Sequence, residues 1–480
     1  MKEKGKLSRR DFLRLSAVGA TGTLLAACAP EVIKETVTVK ETVVVESEPE
    51  TVEVEVEKVV TATPEPKGVT TIDFLTQSAT PESLAELEPL ISRFEEENPD
   101  IHVQFVVQPG EQDIYQKMTI MQQGGTPANM AVWGNKVAIY ACAGVFKNLQ
   151  PFVDRDNVDL SDYYDTHLAS LKWKDDYHAL PAAVYTTLLY FNKDLFDEAG
   201  VQYPPQTAED AEDWTMDAFL ETAKALTKDT DGDGEPEQFG IYEIYNNDLN
   251  KPQFYGGKSF DKEGNCTLDS PACIAAMQFW ADIKFKHHVA PTAAESEGIA
   301  GGIGGDEAPF LSGRCAMAVG GNWSLPAMMG APFNWGVAIL PSSAPEGNRS
   351  ANFSPDAFVM GNGPNPEEVW RFLKWIQEPE NIQEWCLILG AFSPRKSQSD
   401  YNAQLVTEKF GVKGEVFNYC LSHATMVMGE LRELNNPNED EVEDMLTPYF
   451  DELELGRITA EELAEAVVDE ATRLAKQPCE

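Results

Sequence analysis

Residues 71–107 read TIDFLTQSATPESLAELEPLISRFEEENPDIHVQFVV, and this stretch decides the fold. Thr71-Ile72-Asp73-Phe74-Leu75 alternates polar and apolar side chains, the period of a strand. Thr80 is placed to cap a helix with Pro81 at its first position, and Leu84, Leu87, Ile91 and Phe94 share one face. Pro89 lies inside that helix and is expected to kink it. Asn98-Pro99-Asp100 stops it, and Ile101, Val103, Phe105 and Val107 alternate as a second strand. A strand, a helix and a strand within forty residues imply a right-handed parallel crossover, so the body is α/β with a parallel-sheet core. At the far end, Thr459-Ala460-Glu461-Glu462 forms a capping box and opens a helix with Leu463, Ala466, Val467 and Leu474 on one stripe. Nothing repeats at a fixed period, which excludes a solenoid.

The chain around this core has 480 residues, 42% of them hydrophobic, with a mean hydropathy of −0.32. That is room for two or three domains with their own cores. Thirty-seven Lys and Arg stand against 79 Asp and Glu, a net charge of −42. Such a surface repels phosphate backbones and anionic headgroups, so nucleic acid is excluded as a partner. No run of 18 apolar residues reads as a membrane-spanning helix.

The N-terminus reverses the charge. Residues 1–28 carry Lys2, Lys4, Lys6, Arg9, Arg10 and Arg14 against Glu3 and Asp11, followed by a short apolar stretch from Ala17 to Ala27 that suits a signal segment. Ser8-Arg9-Arg10-Asp11-Phe12-Leu13-Arg14 is similar to a twin-arginine export signal. Leu25-Ala26-Ala27-Cys28 resembles a bacterial lipobox, which implies that Cys28 is acylated and anchors the mature chain to the lipid bilayer. Residues 29–68 alternate Val, Thr and Glu between Pro49, Pro64 and Pro66 and read as an extended, self-repelling linker. The alternative is an appended β-hairpin. Fully extended, 40 residues reach up to ~130 Å.

The body from residue 69 resembles the bacterial extracellular solute-binding proteins of family 1, the maltose-binding-protein-like group. The matching pieces run in the family's order. They are Leu90 to Ile101, Tyr190-Phe191-Asn192-Lys193-Asp194-Leu195-Phe196 through Gly200, Trp214 to Phe219, Asp229 to Gly234, Phe310 to Met317, and Gly320-Gly321-Asn322-Trp323. Two departures stand out: the first strand lacks the family's usual Trp, and Ala128-Asn129 replace Pro-Asp. The resemblance implies a two-lobed periplasmic-binding-protein-like fold of class II, two discontinuous α/β lobes joined by a hinge with a ligand cleft between them. Crossings near Ala182, Ala344 and Ser393 give lobe one as 69–182 with 345–392, and lobe two as 183–344 with 393–480. Ligand stabilises the closed state of such a cleft.

Sugars present apolar C–H faces edged with hydroxyls, so a carbohydrate cleft needs flat aromatic rings and hydrogen-bonding side chains. Trp323, after Gly320-Gly321-Asn322, matches an aromatic cleft position of the family; the two glycines are expected to make a bend that presents the ring, with Asn322 beside it. Tyr185 sits next to the first crossing, and Trp133 ends the apolar run Met130-Ala131-Val132-Trp133. Gly256-Gly257 would let backbone approach a ligand, and Asp356 could accept sugar hydroxyls. For each of these the competing role is packing. Trp370 and Trp375, on a helix opened by Asn365-Pro366, read as packing outright.

Asp229, Asp231, Asp233 and Glu235 reproduce the first four ligand positions of an EF-hand loop, with Gly234 at the turn. Gly240 stands where the bidentate Glu belongs, so calcium is a possible ligand but an Asp/Gly-rich turn is the favoured reading, and no other cofactor is implied. No catalytic constellation emerges: Gly257-Lys258-Ser259 has Pro252 where a phosphate loop needs Gly, and Ser393-Pro394-Arg395-Lys396 lacks the companion Lys-Thr-Gly. Besides Cys28, cysteines stand at 142, 266, 273, 315, 386, 420 and 479. Cys266 and Cys273 could close a short loop, and the odd count leaves at least one free thiol. The expectation is a non-enzymatic, extracytoplasmic, lipid-anchored monomer that binds a carbohydrate and serves the permease of an ABC importer. The competing readings are a sensory or adhesion lipoprotein on the same fold and a secreted carbohydrate-active enzyme.

Overall fold

The computed structural model describes residues 68–77, 81–108, 110–134, 136–244, 252, 255–342, 352–389, 391–422, 426–427 and 436–479. The signal-like segment with Cys28, the linker, Thr80 and the crossing expected near Ala344 lie outside the described residues. The elements used below are, in chain order, β1 (Thr70–Gln77), α1 (Pro81–Glu97), β2 (Ile101–Gln108), β3 (Met130–Trp133), α2 (Val137–Cys142), α3 (Asp165–Ser170), β4 (Ala179–Asn192), β5 (Phe239–Glu243), α4 (Pro271–Phe285), β6 (Cys315–Gly321), β7 (Trp335–Ala338), β8 (Asn352–Met360), α5 (Pro366–Ile376), α6 (Pro379–Ile388), α7 (Ser399–Phe410), α8 (Gly414–Ser422), α9 (Glu439–Glu454) and α10 (Ala460–Ala475).

The first crossover forms as its alternation requires: β1 pairs with β2 in parallel from Thr70↔Ile101 to Gln77↔Gln108. Helix α1 joins them, burying Leu87, Leu90, Ile91 and Phe94. It runs unbroken through Pro89; Ala85 and Pro89 both lie on the exposed face, so the carbonyl left without its N–H partner is open to water. The sheet continues in the order β2–β1–β3–β8–β4, with β8 antiparallel to both neighbours. Because side chains alternate along a strand, its two faces hold separate cores. Ile72, Phe74, Met130, Val132 and Phe358 pack on one side with Trp370, Trp375 and Trp385. Leu75, Ala131, Ala357 and Val359 pack on the other with Ile114, Tyr115 and Met118. Trp385 stacks on Phe74 with centroids 5.5 Å apart. Trp370 and Trp375 are buried, and their indole N–H groups donate to Asp156 at 2.8 Å and Glu97 at 3.1 Å, so both are packing residues. Asn129, at the Pro-Asp departure, accepts from Asp73 N–H at 3.1 Å and donates to the Pro364 carbonyl; an aspartate could not make the second bond.

The second lobe grows from the same strand. β4 pairs with β8 from Ala179 to Thr186 and with β6 and β7 from Thr187 to Asn192, while β5 lies parallel to β6. Core contacts change side at the same place. Ala182 and Ala183 belong to the first lobe's core and Val184 to the second's, and Ala391 and Phe392 divide likewise. Val184 N–H donates to the Phe392 carbonyl at 3.0 Å, so these two segments lie side by side.

Helix α4 is shared by two layers of lobe two. Phe279, Trp280 and Ile283 face the sheet; Cys273, Met277 and Ala281 face α9 and α10. Thr459 and Glu462 close the capping box on α10. The buried stripe of α10 is Leu463, Ala464, Val467, Ala471 and Ala475, with Ala466 exposed; alanines on several faces left hydrophobicity unable to choose among them. The disulfide differs from the sequence expectation. Cys142 bonds Cys479, with Cα atoms 6.1 Å apart, while Cys266 and Cys273 are separate buried thiols. Cys273 sits in the first turn of α4 with its Sγ 3.1 Å from the Lys258 carbonyl, and both it and Cys266 pack in the core shared with α9 and α10.

Candidate functional site

Both sheets turn their carboxyl edges toward the hinge. β4 runs parallel to β3, since each is antiparallel to β8, so Trp133 and Tyr185 end up at the same edge. Asp356 lies there too: Ala357 pairs with Trp133 and Asp356 with Ala183. In lobe two, β6 and β5 run toward lobe one, and Gly321 at the end of β6 pairs with Thr187. A crevice outside the carboxyl ends of strands is where an open α/β sheet takes its ligand.

At the base of this crevice stands an aromatic corner. Thirteen of the fourteen residues of β4 are buried, and Tyr185 is the exception. Its ring packs against the core of lobe one and meets Trp323 of lobe two edge-to-face, with centroids 6.0 Å apart and planes at 72°. Trp323 is 36% exposed, which excludes a core tryptophan. The two glycines before it do not bend the chain: both lie in β6, and Gly321 is extended at φ −78°, ψ 159°. They make room instead. A Cβ at Gly320 would lie 3.0 Å from Ile244, and one at Gly321 would sit inside the Trp323 ring. The indole therefore lies back over Gly321.

Asn322 fixes the corner. It is fully buried, and its Oδ1 accepts from Thr186 N–H at 2.7 Å, the amide at which β4 leaves one sheet for the other. That bond orients the side-chain amide, and its Nδ2, like Thr186 Oγ1, is buried without a hydrogen-bond partner. Buried polar groups left open cost about 1–3 kcal/mol each, and both atoms lie within the packed junction of the two sheets. Thr186 was missed from the sequence, although Thr186-Thr187 interrupts an otherwise apolar strand. So was Lys136, three residues beyond Trp133, whose ammonium pairs with Asp440 and Glu443 of α9.

The other candidates fall elsewhere. The Trp133 side chain is outside the described residues. Gly257 has a packing role: a Cβ there would lie 2.7 Å from Cys273 Sγ and 2.9 Å from the Pro252 carbonyl, so its closeness is to the start of α4 rather than to a ligand. Gly256 has φ +73° and serves the same turn. In the acidic loop, carboxylates of Asp229, Asp231, Asp233 and Glu237 come within 4.8 Å of one another. Glu235 is not among them and lies 3.6 Å from His288 instead. Asp229 accepts from the N–H groups of Gly232 at 2.6 Å and Gly234 at 2.9 Å, the bonding of an Asx-rich turn.

Behind Asp356 lies a buried histidine on α3. The strand register slips between Asp356 and Ala357, which turns the Asp356 carbonyl out of the ladder, and His167 Nε2 meets it at 3.1 Å. Burial pushes the His167 pKa down to about 3, against a small upward pull from that carbonyl. The ring is therefore neutral and protonated on Nε2, the donor a carbonyl requires. A surface groove of about 880 Å³ between Lys193, Thr407 and Lys413 contains none of the candidate residues.

Residues 78–383 match the model of the bacterial extracellular solute-binding proteins. The chain belongs to this family. It is a binding protein and not an enzyme, in keeping with Ser393, which is buried and bonded to Gln398, while Lys396 is exposed. Among curated relatives of this solute-binding protein, a maltotriose-binding protein of Pyrococcus abyssi is 24% identical over 78% of this chain and 80% of its own length. Among solved structures, an ABC substrate-binding protein of Listeria monocytogenes in complex with cycloalternan has a TM-score of 0.68 at 19% identity, covering 84% of this chain and 98% of the other. UgpB of Mycobacterium tuberculosis, solved with glycerophosphocholine, has a TM-score of 0.67 at 22% identity, covering 85% and 98%. At these identities the structures establish the two-lobed fold.

The depressed His167 pKa carries a stability prediction for this solute-binding protein. The unfolded chain binds a proton below pH ~6.5, and the folded chain resists it down to about pH 3. Stability should therefore fall with pH across that window, with a limiting slope of about 1.4 kcal/mol per pH unit from this group. Denaturant titrations of wild type and His167→Gln between pH 7 and 4 should show a steeper acid loss for wild type; equal slopes would contradict the assignment.

Proposed function

We propose that this protein captures a neutral carbohydrate at the Tyr185–Trp323 corner by hinge closure and delivers it to the permease of an ABC importer, tethered to the membrane through acylated Cys28. The corner carries the reading. One ring from each lobe meets at the foot of the cleft, beside Asn322 Nδ2 and the Thr186 hydroxyl, both without a hydrogen-bond partner, and rings flanked by hydrogen-bonding groups suit the apolar faces and hydroxyl edges of a sugar. The maltotriose-binding relative and the cycloalternan-bound neighbour support a glycan ligand. The glycerophosphocholine-bound neighbour raises a phosphate-bearing solute as the alternative. Charge favours the neutral class: the chain carries −42, and Lys136 at the cleft edge is already balanced by two carboxylates. No cofactor is needed for this role.

Thermal-shift and calorimetric titration with mono-, malto- and manno-oligosaccharides, and with glycerophosphocholine, tests the ligand class. A carbohydrate should raise the melting temperature by mass action, and Trp323→Ala should weaken that binding by ~10–100-fold, as the loss of about 1–3 kcal/mol of ring contact implies. Its ligand-free melting should stay near wild type, because the ring is partly exposed. Binding of glycerophosphocholine with no response to any sugar would overturn the reading. Separately, Cys28→Ala should move the protein from membranes to the soluble fraction; a variant that stays bound after a high-salt wash would refute the lipid tether.

A further inference from the structure

The C-terminal helices of lobe two reach back to lobe one at the flank of the cleft. Helices α9 and α10 belong to lobe two: they share a core with α4, and Lys284 of α4 contacts Glu243 at 3.2 Å and Glu454 of α9. Helix α2 belongs to lobe one, with Val137 in the core on the second face of its sheet. Two links join them. Lys136, at the start of α2, pairs with Asp440 and with Glu443 at 3.4 Å on α9, and Cys142, at the end of α2, is bonded to Cys479. Lys136 is only 14% exposed; burial pulls its pKa down, but Glu443 and Asp440 more than offset that and hold the ammonium charged.

The tail that ends in Cys479 has almost no slack. After α10 ends at Ala475, the Ala475 carbonyl accepts from Asn436 Nδ2 and the Gln477 carbonyl from Asn438 Nδ2, both at 2.8 Å. Asn438 is the residue preceding α9. Only Pro478 and Cys479 lie between this anchor and the bond to Cys142, a reach of at most about 7 Å, and proline stiffens half of it. On the other side, Cys142 is fixed by a short helix whose Val137, Ala138 and Ala141 are buried.

We propose that the Cys142–Cys479 disulfide is an inter-lobe strap that limits how far the binding cleft opens, with the Lys136–Asp440–Glu443 cluster as its non-covalent part. A hinge at Val184 and Phe392 can swing the lobes apart at this flank only by the play of a two-residue tail. The strapped protein therefore samples a narrow range of opening, and less conformational freedom is lost when a ligand closes it. Forming the strap takes two protons and two electrons from the two thiols, accepted by an external protein disulfide that is itself reduced to a dithiol. A phosphine reverses it, the disulfide becoming two thiols and the phosphine its oxide with oxygen from water.

The test uses the full chain without any ligand, so its outcome is independent of what the cleft binds. Alkylation of the native protein, mapped by mass spectrometry, should leave Cys142 and Cys479 unmodified until a phosphine is added. Small-angle scattering and hydrogen exchange are then compared for untreated protein, phosphine-treated protein and Cys479→Ser. Cys479 is exposed, so the substitution removes nothing from a core, and Cys142→Ser provides a second route to the same unstrapped state. Both unstrapped forms should show a larger radius of gyration and roughly tenfold faster exchange over residues 136–142 and 438–443. Ready alkylation of both cysteines in the folded, untreated protein would overturn the proposal. So would scattering and exchange that do not change when the bond is broken.

Discussion

A strand that serves two sheets must change hydrogen-bond partners somewhere, and at that point its backbone is left open. In this protein the point is Thr186. Upstream residues of β4 pair with β8, downstream residues with β6 and β7, and the Thr186 N–H is taken by the Asn322 side chain. The same bond positions Asn322 directly before Trp323, and β4 places Tyr185 directly before Thr186. Satisfying one backbone amide at the hinge thus sets the two rings and two polar groups at the foot of the cleft. It also locates the pivot, because the second described crossing, at Phe392, bonds to β4 two residues away.

Much of this was legible beforehand because it rests on local chemistry. Alternation over 71–107 specifies the crossover, Thr459 and Glu462 specify a capping box, and Trp370 and Trp375 sit on the helical period that buries them. Tyr185 and Trp323 could be picked out singly; that they touch depends on pairing Thr187 with Gly321, 134 residues apart in sequence, which no local pattern encodes. The roles of the glycines were misread for a related reason. Gly321 and Gly257 look permissive of bending or of a ligand, but each is required by what lies over it, the Trp323 ring and the start of α4. His167 gave no signal, since a lone histidine in a polar segment becomes a buried partner only through the bulge at Asp356. Cysteine spacing suggested 266 with 273, whereas the bond formed joins residues 337 apart in sequence.

Electrostatics separates the molecule's surface from its cleft. The surface is strongly acidic, in a chain whose net charge is −42. The described cleft edge mixes two aromatic rings, an amide, a hydroxyl, the Asp356 carboxylate and a lysine whose charge is spent on α9. Such a site gains affinity from ring contact and hydrogen bonds rather than from charge, so its binding should be insensitive to salt while nonspecific contacts at the surface are not.

The central claim is that ligand is held at the corner built around Thr186 and Asn322, not in the groove between Lys193, Thr407 and Lys413. Backbone and indole resonances of the deuterated protein, followed by TROSY NMR during titration with a bound carbohydrate, address it directly. The account predicts that the Trp323 indole N–H, the Asn322 amide and the Tyr185–Thr187 amides shift together and saturate at one dissociation constant, while Thr407 and Lys413 stay in place. Saturable shifts at Lys193, Thr407 and Lys413 with a silent Trp323 would contradict it.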